Sequence, residues 1–292
     1  MDIVIKKFIF LLFILAVGGV WLFVGNIEAE EQKTGSESVA YWHKKLKEKG
    51  DTASLVQLGW VYYRGDGVLS DKVKSYSYFI RAARKGNVEA QKKISNMYYL
   101  GEGVGKNEIK SLYWAEKSAL LGDAEAQYNL GLMYDNGTGT EKSAVLAAKW
   151  YEKASKQGHV LAQNTLAWKY SKGIGVKEDS VKAAFWYAKS AENGDPFGQY
   201  NLGRVFLKGD GVEQDEHQAF YWWEKSALQG FVLAESRLGF CYVRGVGVVP
   251  DLYQAVYWWS KASEGGSAIA KRNLELLCRQ NAKLCVPPPI VP

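Results

Sequence analysis

Residues 126–158 read AQYNLGLMYDNGTGTEKSAVLAAKWYEKASKQG. Ala126, Leu130 and Tyr134 stand four residues apart, so they share one face of a helix. Gly131 lies on that face too and lets a neighbouring helix approach closely. Gly137-Thr138-Gly139 ends the helix, because glycine reaches positive φ without steric penalty. Ser143 is of the type that caps helix N-termini, and Ala147, Trp150 and Ala154 mark the face of a second helix. Gly158 stops it. The stretch is helix, glycine turn, helix, glycine stop.

A shift of 36 residues in either direction repeats the pattern. Gly50, Gly86, Gly122, Gly158, Gly194, Gly230 and Gly266 stand at that step without insertion or deletion. The apolar column reads Leu58, Ile94, Leu130, Leu166, Leu202 and Leu238, and the small column Gly59, Ser95, Gly131, Ala167, Gly203 and Gly239. Second helices begin at Asp71, Asn107, Ser143, Asp179, Asp215 and Asp251, all N-cap types. Seven residues on come Tyr78, Trp114, Trp150, Trp186, Trp222 and Trp258, read as part of the buried face. Asp51, Asn87, Asp123 and Asp195 cap first helices, the last followed by Pro196 at a favoured first position. One helix pair cannot hide its own Leu, Tyr and Trp face, whereas stacked pairs can. The chain is therefore predicted to be an all-α solenoid over 40–280, with six repeats from about 50, 86, 122, 158, 194 and 230. Residues 40–49 read as a lone second-type helix capping one end, since Trp42 lies 36 residues before Tyr78. Ser267–Cys278 reads as a lone first-type helix closing the other.

The pattern A-x-x-x-L-G-x-x-Y-x-x-G-x-G-V-x-x-D, followed by A-x-x-W and A-x-x-G, resembles the Sel-one-like repeat (SLR) family. In the unit quoted first, Thr140 replaces Val and Ser143 replaces Asp. The resemblance implies an α/α superhelical solenoid related to tetratricopeptide arrays. It also implies a non-catalytic protein–protein interaction scaffold or adaptor, often in the bacterial envelope. Relatives tether envelope complexes, bind peptidoglycan enzymes, regulate sensor kinases or neutralise secreted lipases as immunity proteins. An immunity or inhibitor protein against a secreted lipase or envelope enzyme is therefore the alternative reading.

Lys6 and Lys7 precede an apolar run of 17 residues, Phe8 to Val24. As a helix it would span roughly 25 Å, against a hydrocarbon core of ~30 Å. Residues 1–25 read either as an uncleaved signal anchor or as a signal peptide cut after Ile27-Glu28-Ala29. Both place the array on the periplasmic side, anchored to the inner membrane or soluble, with membrane contact through this segment if it is uncleaved. Residues 26–39 read as a linker, and 281–292, with Pro287-Pro288-Pro289, as an extended tail. The net charge of +6 is scattered over helical faces, too weak a basic signal to imply nucleic acid.

The remaining chemistry is sparse. Gly101-Glu102-Gly103-Val104-Gly105-Lys106 has one residue too few for a phosphate loop and Asn107 where Ser or Thr is needed. Its glycines recur in every unit as turns. His43, His159 and His217 fall in different columns and read as surface residues, with no metal site and no cofactor implied. Some SLR relatives are described as β-lactam-binding or β-lactam-hydrolysing and carry a cysteine pair in each repeat. This chain has three cysteines and no Ser-x-x-Lys, so a β-lactam- or glycan-directed enzyme is the weakest alternative. Cys241 shares an apolar column with Val61, Met97, Met133 and Val205 and reads as a buried thiol. Cys278 and Cys285 are read as a disulfide, which requires a turn near Asn281, because a continuing helix would hold them roughly 10 Å apart.

By analogy with tetratricopeptide arrays, first helices line the concave face. Columns that vary while their neighbours stay fixed mark the solvent side. These give a stripe of Asn129, Trp168, Lys172, Asn201, Arg204, Lys208, Arg237, Phe240 and Arg244. Arginines beside aromatic rings suit a binding hot spot. The expected occupant is a protein or an acidic peptide.

Overall fold

The computed structural model describes residues 35–285, with side chains from residue 38 onward. The apolar segment read as an export signal, most of the linker and the end of the tail lie outside the described residues. Among the described residues there are fourteen α-helices and no strand. They form two compact units, one ending at Lys106 and one starting at Asn107.

The first unit holds α1 (Gly35–Lys49), α2 (Thr52–Arg64), α3 (Lys72–Arg84) and α4 (Val88–Leu100). Helix α1 starts at Gly35 rather than at residue 40, which corrects the linker reading for its last five positions. His43 lies against the rings of Tyr62 and Tyr78, with Nε2 3.3 Å from the Tyr62 hydroxyl, so this histidine seats α1 on its neighbours.

The second unit holds α5 (Glu108–Leu120), α6 (Ala124–Asn136), α7 (Ala144–Lys156), α8 (Val160–Lys172) and α9 (Ser180–Glu192). It continues with α10 (Pro196–Lys208), α11 (Glu216–Leu228), α12 (Val232–Arg244), α13 (Leu252–Glu264) and α14 (Ala268–Gln280). Within this unit, from α5 to α14, successive helices pack on one another. Its core is accordingly a series of small clusters, one of them Ala147, Tyr151, Ala154, Ala162 and Leu166. No helix among the described residues is long and apolar enough to cross a membrane.

The capping residues act as their columns imply. Asp123 accepts from the Ala126 N–H at 2.7 Å, and Asp179 from the Lys182 N–H at 2.9 Å. His159 stands in the first-helix cap column, and its Nδ1 accepts from the Ala162 N–H at 3.2 Å. It is half-buried and stacked on Tyr128, and that burial pushes its imidazole below the usual range. The surface reading of His159 is thereby replaced by a capping role. The 36-step glycines have positive φ and open space around them, so only their backbone conformation demands glycine. From Gly103 onward, the second glycine of each inter-helix turn is different. A Cβ on Gly103 would lie 2.0 Å from the Lys72 carbonyl oxygen, and one on Gly175 2.0 Å from that of Ala144. The turn therefore rests on the start of the preceding repeat's second helix. This contact also disposes of a phosphate cradle at Gly101–Lys106.

The tryptophan column is mostly half-buried, and the column after it is the buried one. Phe79, Tyr151 and Trp223 are fully enclosed. They press on the small column, where a Cβ would lie 2.8 Å from Phe79 at Gly59 and 2.5 Å from Trp223 at Gly203. Trp223 still satisfies its indole N–H on the Tyr200 carbonyl at 3.0 Å.

A ladder of buried amides ties successive repeats. The Gln127 amide donates to the Ala119 carbonyl at 3.2 Å while its oxygen accepts from Gln157 at 2.8 Å. Gln163 and Gln199 repeat this with Asn193 and Gln229. Glu235 stands next in the same column, buried, and that burial raises its carboxyl above the usual range although Lys261 pulls it back. A carboxyl raised in the fold loses its stabilising, protonated state as pH climbs through that range. Glu235→Gln is therefore expected to add about 1 kcal/mol of stability at neutral pH. The gain should shrink below about pH 4, where the carboxyl is protonated in folded and unfolded chains alike. Urea midpoints at the two pH values check this.

At the C-terminal end α14 stops at Gln280, and a short 3-10 turn, Ala282–Cys285, brings the chain back. Cys278 and Cys285 are joined there, with Cα atoms 5.7 Å apart. Cys241 is a buried free thiol whose burial raises it to about 12.

Candidate interaction site

A cavity of about 230 Å3 opens between α8, α9 and α10 in the second unit. Trp168 and Lys172 come from α8, and Asn201, Arg204 and Lys208 lie one repeat later on α10. Both sets sit on the outer stripe of a first helix, so stacking two repeats brings them together. Tyr187 of α9, with Ser171 and Ser180, completes the wall, and Glu178 and Asp210 enter from the turns. Burial raises the Tyr187 phenol above its usual range, while the Ser171 hydroxyl and the Arg204 charge oppose that shift. Asn201 is fixed by its amide donating to the Asn164 side-chain oxygen at 3.2 Å.

The cavity carries three cations and two carboxylates. Among the described residues none of Lys172, Arg204 and Lys208 is in an ion pair. Lys172 and Lys208 occupy the last turns of their helices, where a cation complements the helix dipole without any ligand. Arg204 lies a turn earlier. It is the cation that helix termination does not explain.

The other stripe residues lie outside this cavity. Asn129 is exposed on α6, and Phe240 and Arg244 are exposed on α12. Arg237 is half-buried, its guanidinium 5.4 Å from the Trp223 ring centre and 5.9 Å from that of Phe240. Five of the nine positions thus share one cavity. Sequence reasoning did not pick out Tyr187, Ser171, Ser180, Glu178 or Asp210. Tyr187 belongs to the buried aromatic column, and the others come from turns and helix starts that a first-helix stripe leaves out. No group of three or more His, Cys, Asp or Glu side chains that could hold a metal is assembled among the described residues. His217 instead lies on the Gly247 carbonyl at 3.0 Å.

The Sel1 repeat model matches residues 52–87, 88–123, 124–159, 160–195, 196–231 and 232–267. The chain belongs to the Sel1 repeat family. This fold is a protein–protein interaction scaffold, and its members are generally non-catalytic. Among solved structures, the chain is similar to a protective antigen of uropathogenic Escherichia coli that displays an SLR fold. The two are 32% identical with a TM-score of 0.80, over 84% of this chain and 52% of that one. This chain therefore spans about half the length of that relative. A Sel1 repeat protein from Oxalobacter formigenes is 27% identical with a TM-score of 0.66, over 82% of this chain and 95% of that one. An immunity protein from Pseudomonas aeruginosa is 19% identical over 79% of this chain and 89% of that one. Its TM-score is 0.42, too slight a likeness to carry a functional argument. No curated protein matches the chain.

Proposed function

We propose that this Sel1 repeat protein is an exported, non-catalytic adaptor of the bacterial envelope that captures an acidic peptide or acidic protein face. The observation that carries the reading is the cavity beside exposed Trp168, where Arg204, Lys172 and Lys208 converge without an internal ion pair. Guanidinium and ammonium groups beside an indole suit a carboxylate followed by an apolar side chain. The volume, about 230 Å3, suits one or two side chains better than a cofactor. Export is supported by Lys6-Lys7 ahead of the apolar run Phe8–Val24. Inhibition of a secreted enzyme would use the same stripe, and no separate observation favours it.

The test is charge reversal at three exposed positions, Lys172→Glu, Arg204→Glu and Lys208→Glu, with a photocrosslinking residue at an adjacent surface site in native envelopes. Crosslinked partner should fall about tenfold or more, as expected when paired charges become repulsive. The melting temperature should fall only by the few degrees that losing two helix-end cations implies, because these side chains support no core contact. Undiminished capture by the folded variant would place the binding surface elsewhere.

A further inference from the structure

The second helices of the second unit bear an outward face that the cavity does not use. Its first row is aliphatic in α5, α7 and α9, where Ile109, Val145 and Val181 are 72%, 52% and 64% exposed. Four residues on, Tyr113, Phe185, Tyr221 and Tyr257 are exposed rings. Four further stand Lys117, Lys153, Lys189, Lys225 and Lys261. The spacing places all three rows on one stripe of each helix, about 12 Å from first to last. A surface helix ordinarily gives this stripe to polar residues.

The stripe is ordered. Each exposed ring stands edge-on to the half-buried or buried tryptophan beside it, with centroids 5.2 Å apart at Tyr113–Trp114 and 5.0 Å at Phe185–Trp186. The lysines lie back over the rings, Lys225 Nζ 4.6 Å from the Tyr221 centre and Lys153 Nζ 3.9 Å from that of Trp150. Lys189 pairs with Glu192 at 2.9 Å. Lys117, Lys153, Lys225 and Lys261 are in no ion pair among the described residues. Leu120 and Leu228, both 70% exposed, add apolar surface on the same helices.

We propose that this face rests on an anionic lipid surface. Aliphatic, aromatic and lysine rows together match the bilayer interface, where apolar groups enter the acyl boundary, rings sit at headgroup level and lysines reach phosphate. A glycan would use the rings and the lysines but leave Ile109, Val145 and Val181 without a role. A second copy meeting face to face would bring lysine rows into each other's field. The chain's own apolar run, Phe8–Val24, supplies an independent reason for a bilayer to lie nearby.

The experiment is lysine acetylation of the full chain on phosphatidylglycerol vesicles and on phosphatidylcholine vesicles, read by mass spectrometry. Both vesicles accept an apolar anchor equally, so the comparison isolates the charged face. Lys117, Lys153, Lys225 and Lys261 should label about fivefold or more slowly on the anionic vesicles, as expected for lysines held near a charged headgroup layer. Lys172 and Lys208 should label alike on both. High salt should erase the difference. In a Lys117→Glu, Lys225→Glu, Lys261→Glu variant whose helical signal is unchanged, Lys153 should lose its protection. Equal labelling on the two vesicles would overturn the proposal. So would protection without vesicles, which would assign the face to a second copy or to another part of the chain.

Discussion

Asp135→Ala is expected to destabilise the second unit by about 3–5 kcal/mol, the cost of leaving a buried charge without its partner. Asp135 is on α6, and its carboxylate joins two repeats. One oxygen accepts from Lys169 Nζ of α8 at 2.7 Å, the other from the Tyr151 hydroxyl of α7 at 3.0 Å. The Lys169 side chain is 2% exposed and that of Asp135 26%, so without the carboxylate the ammonium reaches water only through the space Asp135 leaves. Tyr151 is fully enclosed too, and burial, with the Asp135 charge second, raises its phenol far above the usual range. Urea unfolding reads the loss. Replacing both ends by what other repeats hold, Lys169→Met with Asp135→Ser, should recover most of it, because removing the whole pair leaves no orphaned charge. A single Asp135→Ala change within about 0.5 kcal/mol of the parent would mean that the pair is not buried as described.

Lys169 also shows what the repeat hid. Its column reads Val61, Met97, Met133, Val205 and Cys241 in the other units, so periodicity assigns the position to the core. The core is where it lies, but a charge there needs a partner 34 residues earlier, in another variable column. Glycine stops, caps and the Leu column were legible because each answers to backbone geometry or to burial within one unit. The enclosed aromatic column was not. Tyr151 and Trp223 directly follow Trp150 and Trp222, and sequence alone does not say which of two adjacent rings turns inward. The small column held the answer, since Gly131 lies 20 residues before Tyr151 as Gly203 does before Trp223. His159 was misplaced because histidine is an uncommon cap, although its column read Asp51, Asn87, Asp123 and Asp195. Of the nine candidate stripe positions, five line one cavity. Variation picked out Trp168, Lys172, Asn201, Arg204 and Lys208, but not the turn residues that close the cavity around them.

Gly211→Ala is expected to cost about 3 kcal/mol, and Gly230→Ala only about 1, though both glycines are left-handed, with φ of 82° and 81°. Around Gly230 there is nothing within 4 Å, so alanine meets only the backbone penalty. A Cβ on Gly211 would lie 2.3 Å from the Ser180 carbonyl oxygen and 2.6 Å from the Val181 nitrogen. Those are backbone atoms at the start of α9, which cannot rotate aside as a side chain could. The turn must lift away from α9, and with it Asp210. Ser180 and Asp210 both line the candidate cavity, so the lift separates two of its walls. Gly211→Ala should therefore weaken partner capture at a temperature where the protein remains folded, whereas Gly230→Ala should leave capture intact. Urea midpoints measured beside crosslinking yield separate the two effects. Equal stability losses in the two variants would show that the turn tolerates a Cβ, and full capture by Gly211→Ala would detach the cavity from partner binding.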